Sequence, residues 1–243
     1  MPTTSVWSDL PRRLATICIG VPLLWALWWR EEGRLVFWVG LQAGLAYEWC
    51  RLSGGSSWFV LSTFVPISYI PVVVAVEQLS GSAAVVEGYL LVSVPLAAWR
   101  HTSFRETAGL LLTVWNGDTG ALLTGRLVKR KTRPAWLQRV SPNKSVEGIV
   151  GGMVGATVTY LLLPWLWEWV PSPDEGGSLP APTLHDALLL AVSAQLGDLW
   201  ESSLKRKYGV KDTGKLLPGH GGLLDRFDSS LLAILVYTTT IAP

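Results

Sequence analysis

Asp198, Glu201, Ser202 and Lys205 stand at i, i+3, i+4 and i+7, the spacing that sets two carboxylates, a hydroxyl and an ammonium on one face of a helix. Asp225 and Asp228 repeat the pairing at i and i+3. Such carboxylate pairs suit a hard divalent cation, because Mg²⁺ takes one or two carboxylates and completes its shell with water and phosphate oxygens. Lys205, Arg206, Lys211, Lys215 and Arg226 crowd the same stretch, and the turn at 219–222 (GHGG) brings backbone donors within reach of an oxyanion. The chemistry these residue types imply is polyphosphate and metal binding.

A solvated loop that attracts anionic headgroups would also be basic. It would not need the carboxylate spacing, nor a histidine between glycines. His220 apart from its context reads better as a structural histidine. Residues 209–215 (GVKDTGK) have P-loop spacing, but Leu216 stands where a Ser or Thr must reach Mg²⁺ and no buried strand precedes them. GxSxG, HExxH and GxGxxG are absent.

A second constellation lies upstream. Residues 116–120 (NGDTG) set Asp118 between glycines at the end of an apolar run, and residues 141–152 read SPNKSVEGIVGG. Ser141-Pro142 reads as a helix entry, with Lys144, Ser145 and Glu147 in the first turn. A helix N-terminus with a lysine and hydroxyls makes an anion-binding cap. Ordinary capping by a serine and a glutamate fits the same residues.

These groups need elements to hold them, and the chain supplies apolar ones. Of 243 residues 49% are hydrophobic and 16% charged, with the charges clumped between long uncharged stretches. Apolar segments cover 14–29, 35–49, 58–76, 83–99, 107–124, 148–167, 187–200 and 229–241. The expected fold is therefore all-α, a polytopic integral membrane bundle of about seven or eight apolar segments. Many of the fourteen tryptophans, among them Trp25, Trp28, Trp29, Trp165, Trp167 and Trp169, lie near segment ends where headgroups would sit, and others are core packing. Glu48, near the end of its segment beside Arg51, reads as a carboxylate that snorkels to the interface. Cys18 and Cys50 fall in apolar runs with neither CxxC spacing nor a histidine nearby, which argues against a disulfide or zinc. A net charge of +2 without basic and aromatic interleaving speaks against nucleic acid. Arg12 and Arg13 precede an apolar run without a small-residue cleavage site, which reads as a first span.

Residues 126–144 hold seven Lys or Arg and no acid, whereas 168–186 hold four acids and no Lys or Arg. The positive-inside rule places the first interval and the 201–228 stretch on the cytoplasmic side. Arg100, His101 and Arg105 look cytoplasmic too, only one segment away. Either 107–124 re-enters without crossing, or one of 58–76 and 83–99 does not cross; a broken 107–124 would set Asp118 in a cavity.

At these residues the chain resembles the CDP-diacylglycerol synthases, also called phosphatidate cytidylyltransferases. Their signature, S-x-apolar-K-R-x4-K-D-x-small-x2-apolar-P-x-H-G-G-apolar-x-D-R-apolar-D, is met at every specified position of 202–228. GDTGA at 117–121, SPNKSVEG at 141–148 and LGD at 196–198 resemble further family elements in the expected order. Leu122 stands in place of a usual Tyr, Ser145 in place of Thr and Val146 in place of an aromatic.

The resemblance implies transfer of a cytidylyl group from CTP to phosphatidic acid, with release of pyrophosphate and a requirement for Mg²⁺. It implies metal on Asp198, Asp225 and Asp228, and phosphate contacts from Lys205, Arg206, Lys211 and Arg226, with His220 at a phosphate or behind one. Ser141, Lys144, Ser145, Asp118, Ser202, Gly221 and Gly222 would contact substrate. It divides the chain into N-terminal spans, 1–106, and a catalytic membrane domain, 107–243, whose basic loops are 126–147 and 201–228. The enzyme would be multi-pass in a bacterial inner membrane or an organelle membrane, with its site on the cytoplasmic side, and a homodimer is compatible with the resemblance. A CTP-dependent polyprenol or phytol kinase, or a non-catalytic membrane protein that binds lipid headgroups, would need many of the same groups.

Overall fold

The structure is a computed structural model and describes residues 22, 26–53, 102–171, 181–214, 216–217 and 221–241. Most of segment 14–29, segments 58–76 and 83–99, and Arg12, Arg13, Cys18, Arg100, His101, Lys215, Gly219 and His220 lie outside the described residues. The elements are helical: α1 (Glu31–Ser53), α2 (Phe104–Leu127), α3 (Ala135–Val140), α4 (Val146–Trp169), α5 (Leu184–Lys207) and α6 (Leu224–Val236), which ends in a π-helical turn, Tyr237–Ile241. The extended pairing among the described residues is one isolated bridge, Leu217 with Gly221.

The all-α expectation holds among the described residues. Among the described residues one helix, α4, is long and apolar enough to cross a membrane. Its 24 residues extend about 36 Å at 1.5 Å per residue, against a hydrocarbon core of about 30 Å. Asn116 and Asp118 dilute the apolar run of α2, and the last turns of α5 are charged.

Helices α2 and α4 form the most extensive contact. Small residues make it close: a Cβ on Gly120 would lie 2.5 Å from the Gly151 carbonyl oxygen, and one on Gly155 2.7 Å from that of Asn116. Seams of this kind let two helix backbones touch where hydrophobic exclusion gives no help. They also bear on 107–124, for which a broken segment is one of the alternatives. α2 runs unbroken through NGDTG, because its glycines are spent on contact with α4 rather than on a turn. The predicted helix entry at Ser141-Pro142 is likewise displaced: Ser141 ends α3, and α4 begins after Ser145, whose Oγ accepts from the Gly148 N–H at 3.2 Å.

Helix α5 packs on both α4 and α6. A Cβ on Gly197 would lie 2.7 Å from the Asp228 carbonyl oxygen, so the glycine lets α5 and α6 approach where each carries an aspartate. Helix α1 closes the other side with Leu45, Ala46 and Trp49 fully buried, and Trp28, Phe37, Trp38 and Phe104 form an aromatic cluster at its start. Tyr237 Oη donates to Glu106 Oε1 at 2.9 Å, tying the end of α6 to the capping box that opens α2. Trp165 and Trp169 are exposed, as an interfacial belt requires, whereas Trp28, Trp38, Trp49 and Trp167 are core. Cys50 is buried.

Candidate active site

One cavity of about 420 Å³ lies between α2, the 141–145 turn, α4, α5 and α6. Its walls carry Asp118 from α2, Ser141, Lys144 and Ser145 from the turn, Asp198 from α5, and Asp225, Arg226 and Asp228 from α6. Eight predicted site residues, drawn from four motifs, are thereby brought together.

The anions and cations are interleaved. Lys144 Nζ is ion-paired with Asp198 Oδ2, and Ser202, buried behind it, donates to Asp198 Oδ1 at 3.4 Å. Lys205 Nζ lies 2.5 Å from Glu201 Oε2 and 3.0 Å from Asp225 Oδ1, so one ammonium serves two carboxylates. Asp225 Oδ2 accepts from the N–H groups of Thr213, 3.0 Å, and Gly222, 2.9 Å. Asp228 Oδ1 accepts from the N–H of Ser229 at 2.7 Å.

These partners separate the carboxyls electrostatically. Burial works to raise the Asp225 carboxyl, but the Lys205 ammonium and the two backbone N–H groups outweigh it and hold the group below the usual range. Glu201, past the end of the apolar run, is pushed up to about 7 by burial even against Lys205. Its Oε1 accepts no hydrogen bond among the described residues. Burial works against the Lys205 charge, yet Glu201 and Asp225 more than offset it and raise the ammonium above the usual range. Burial, with Asp198 and Glu201 near, holds the Asp228 carboxyl well above its ordinary value.

The donor set fits a hard cation in part. A buried carboxyl held up by burial and by a neighbouring carboxylate, as Asp228 is beside Asp198, is what a divalent ion stabilises. Among the described residues no three such side chains converge to hold a metal unaided, so phosphate oxygens would have to complete the shell.

Other predicted residues serve the walls rather than line them. Arg206 is exposed; its Nε donates to the Val140 carbonyl at 3.2 Å and its Nη1 to that of Val210 at 3.0 Å, joining α5 to α3. Lys211 is exposed and outside the cavity lining. The Gly222 N–H, read from sequence as a donor to an oxyanion, is directed to Asp225, and Gly221 supplies the left-handed turn (φ 84°) before it. Glu147 reaches out of its helix: both carboxylate oxygens accept from the Thr132 N–H, at 2.9 and 3.0 Å, which folds the basic interval back toward the turn.

Three residues escaped the sequence reading. Asn143 and Gln195 line the cavity, and a Cβ on Gly152 would lie 2.7 Å from Gln195 Nε2, so the glycine makes room for the amide. Neither has a spacing signal. Glu48 does not snorkel; it is 1% exposed and accepts from the Leu223 and Leu224 N–H groups at 2.9 and 2.8 Å. A carboxylate set among Leu45, Ala46 and Trp49 in an apolar run was the signal available.

Residues 13–242 match the model of the cytidylyltransferase family. The phosphatidate cytidylyltransferase of Brucella suis is 30% identical over 256 residues, which cover 93% of this chain and 91% of that protein. That of Bacillus subtilis is 46% identical over 127 residues, 51% of this chain and 42% of that protein. That of Staphylococcus haemolyticus is 39% identical over 129 residues, 51% of this chain and 44% of that protein. The chain thus spans less than half the length of the latter two relatives in these matches, and nearly all of the first.

Proposed function

The chain belongs to the cytidylyltransferase family, and on that footing we propose that it converts CTP and phosphatidate to CDP-diacylglycerol and pyrophosphate. One observation carries the reading: residues of the motifs at 117–121, 141–148 and 196–228 share the walls of a single cavity. In the reaction a phosphate oxygen of phosphatidate bonds to the α-phosphorus of CTP. The bond from that phosphorus to the β-bridging oxygen breaks, and its electron pair leaves with pyrophosphate.

A phosphate monoester is largely ionised at neutral pH, so the nucleophile needs no general base. Lys144 and Arg226 bind triphosphate oxygens, with Lys144 exchanging Asp198 for phosphate. Asn143 and Gln195 offer neutral donors and acceptors to the nucleotide. Lys205 holds Asp225 ionised, and Asp225 Oδ1 keeps a lone pair beyond that contact. Asp198, Asp225 and Asp228 would hold a magnesium ion, whose charge, when it is bound with phosphate oxygens, offsets that on the triphosphate and the departing pyrophosphate.

We place the reaction at a bilayer surface, in a multi-pass protein whose basic stretches, 126–147 and 201–228, face the cytoplasm. CTP is water-soluble and phosphatidate lies in the membrane, so the site must meet both. The length and apolar character of α4 support this reading.

The test is pyrophosphate release by detergent-purified protein given CTP, phosphatidate and Mg²⁺. Release that requires both substrates is expected. Formation of CDP and a lipid phosphate from a lipid alcohol, without pyrophosphate, would replace this reading with a CTP-dependent lipid kinase.

A further inference from the structure

Helix α6 carries Asp225, Arg226 and Asp228 in its first turns but has no cap of its own. Its N-cap residue is Leu223, whose side chain cannot accept a hydrogen bond. The acceptor comes instead from α1, more than 170 residues earlier in the chain. Glu48 Oε1 accepts from the Leu223 N–H and Oε2 from the Leu224 N–H, which places a carboxylate at the positive end of the α6 dipole. Glu48 Oε2 also accepts from Thr213 Oγ1 at 3.2 Å. Thr213 in turn gives its N–H to Asp225.

The surroundings are shaped around this carboxylate. A Cβ on Gly214 or Gly222 would overlap it, at 2.7 Å from Oε2 in the latter case. One turn earlier on α1, a Cβ on Gly44 would lie 2.7 Å from Leu223 Cδ2, so the helix seats closely against the start of α6. One residue later, Trp49 meets Tyr208 edge-on with ring centroids 5.8 Å apart, at the residue that caps α5. The end of α1 therefore grips both the close of α5, which bears Lys205, and the opening of α6, which bears Asp225.

We infer that Glu48 is a positioning residue for the reaction: it caps α6 from another helix and, through Thr213, sets the Asp225 carboxylate and the first turn of α6 against the cavity. The inference rests on the function proposed above.

Glu48→Gln keeps the volume but turns an amide N–H₂ toward backbone donors. Two measurements on the full chain in detergent decide the matter. Hydrogen exchange of amides in 221–227 should quicken at least tenfold in Glu48→Gln, with 104–127 and 146–169 unchanged. Pyrophosphate release should show kcat down at least tenfold and the KM for CTP raised several-fold, with partial rescue in Glu48→Asp. Thr213→Val, which keeps the N–H to Asp225 and loses the hydroxyl, should fall between wild type and Glu48→Gln.

Unchanged exchange in 221–227, or faster exchange throughout the chain, overturns the inference. So does local loosening with wild-type kcat and KM, or a fall in activity that matches only the loss of folded protein. If the wild-type chain releases no pyrophosphate, the proposed function fails, and the exchange comparison alone decides whether Glu48 sets the opening of α6.

Discussion

Lys205 Nζ lies 3.0 Å from Asp225 Oδ1 and joins the last turns of α5 to the first turn of α6. The contact is half of a divided one, because Glu201 Oε2 takes the same ammonium at 2.5 Å. Two N–H groups favour the ionised form of Asp225, whereas Glu201 has burial and one ammonium to share. The two carboxyls are driven to opposite protonation behaviour by their surroundings.

Asp225→Asn is expected to lower pyrophosphate release on the order of 10²–10³-fold. The amide keeps the shape but cannot accept as a charged group from Lys205, Thr213 and Gly222. Size-exclusion elution should stay that of wild type; near-normal turnover in such a protein would remove Asp225 from the site.

Lys144→Ala removes a cation that faces the cavity and leaves Asp198 without its ion pair. Charge-assisted hydrogen bonds contribute ~1.5–3 kcal/mol, so the KM for CTP should rise roughly 10- to 100-fold, with a smaller change in kcat. An unchanged KM for both substrates would take the 141–145 turn out of substrate binding.

The Glu201 carboxyl makes stability depend on pH. Its folded value of about 7 lies above the ordinary value of 4.5, so the folded chain holds a proton that the unfolded chain has released between those values. This group's contribution therefore falls as pH rises from about 4.5 to about 7. Glu201→Gln should lack that slope, and the gap between the two thermal midpoints should widen in favour of the variant, by on the order of a few °C, between pH 5 and pH 7.5. Parallel curves for the two proteins would contradict the assignment.

Gly120→Val tests the seam between α2 and α4. Its first side-chain carbon would already lie 2.5 Å from the Gly151 carbonyl oxygen, so the helices must part. Overpacking of this kind costs ~1–3 kcal/mol, and it moves Asp118, two residues away, from the cavity wall. Loss of thermal stability together with loss of activity is expected; a stable, active variant would mean that the helices do not pack as described.

Much of the site was legible because its signals are local. Asp198, Glu201, Ser202 and Lys205 share a helix face by spacing alone, and the structure puts all four on α5 with Ser202 against Asp198 and Lys205 against Glu201. Asp225 and Asp228 likewise fall in one helix and line one cavity. NGDTG left open whether 107–124 is broken, since glycines in an apolar run signal a break and a helix seam equally, and what faces them is supplied by α4. Ser141-Pro142 misled for a related reason: a six-residue helix, α3, intervenes and moves the cap to Ser145.

Composition and helical spacing thus point to an all-helical chain, and the motif at 202–228 to the cytidylyltransferase family and to much of the polar wall, because a residue's helix face follows from its place within about two turns. Which cation meets which anion does not follow from local order. Lys144 finds Asp198, Arg206 turns away to the Val140 carbonyl, and Glu48 reaches Thr213 across 165 residues. Those pairings arise when glycine seams let α2, α4, α5 and α6 approach within contact, and the strength of a charge pair depends on the distance and burial that such packing sets.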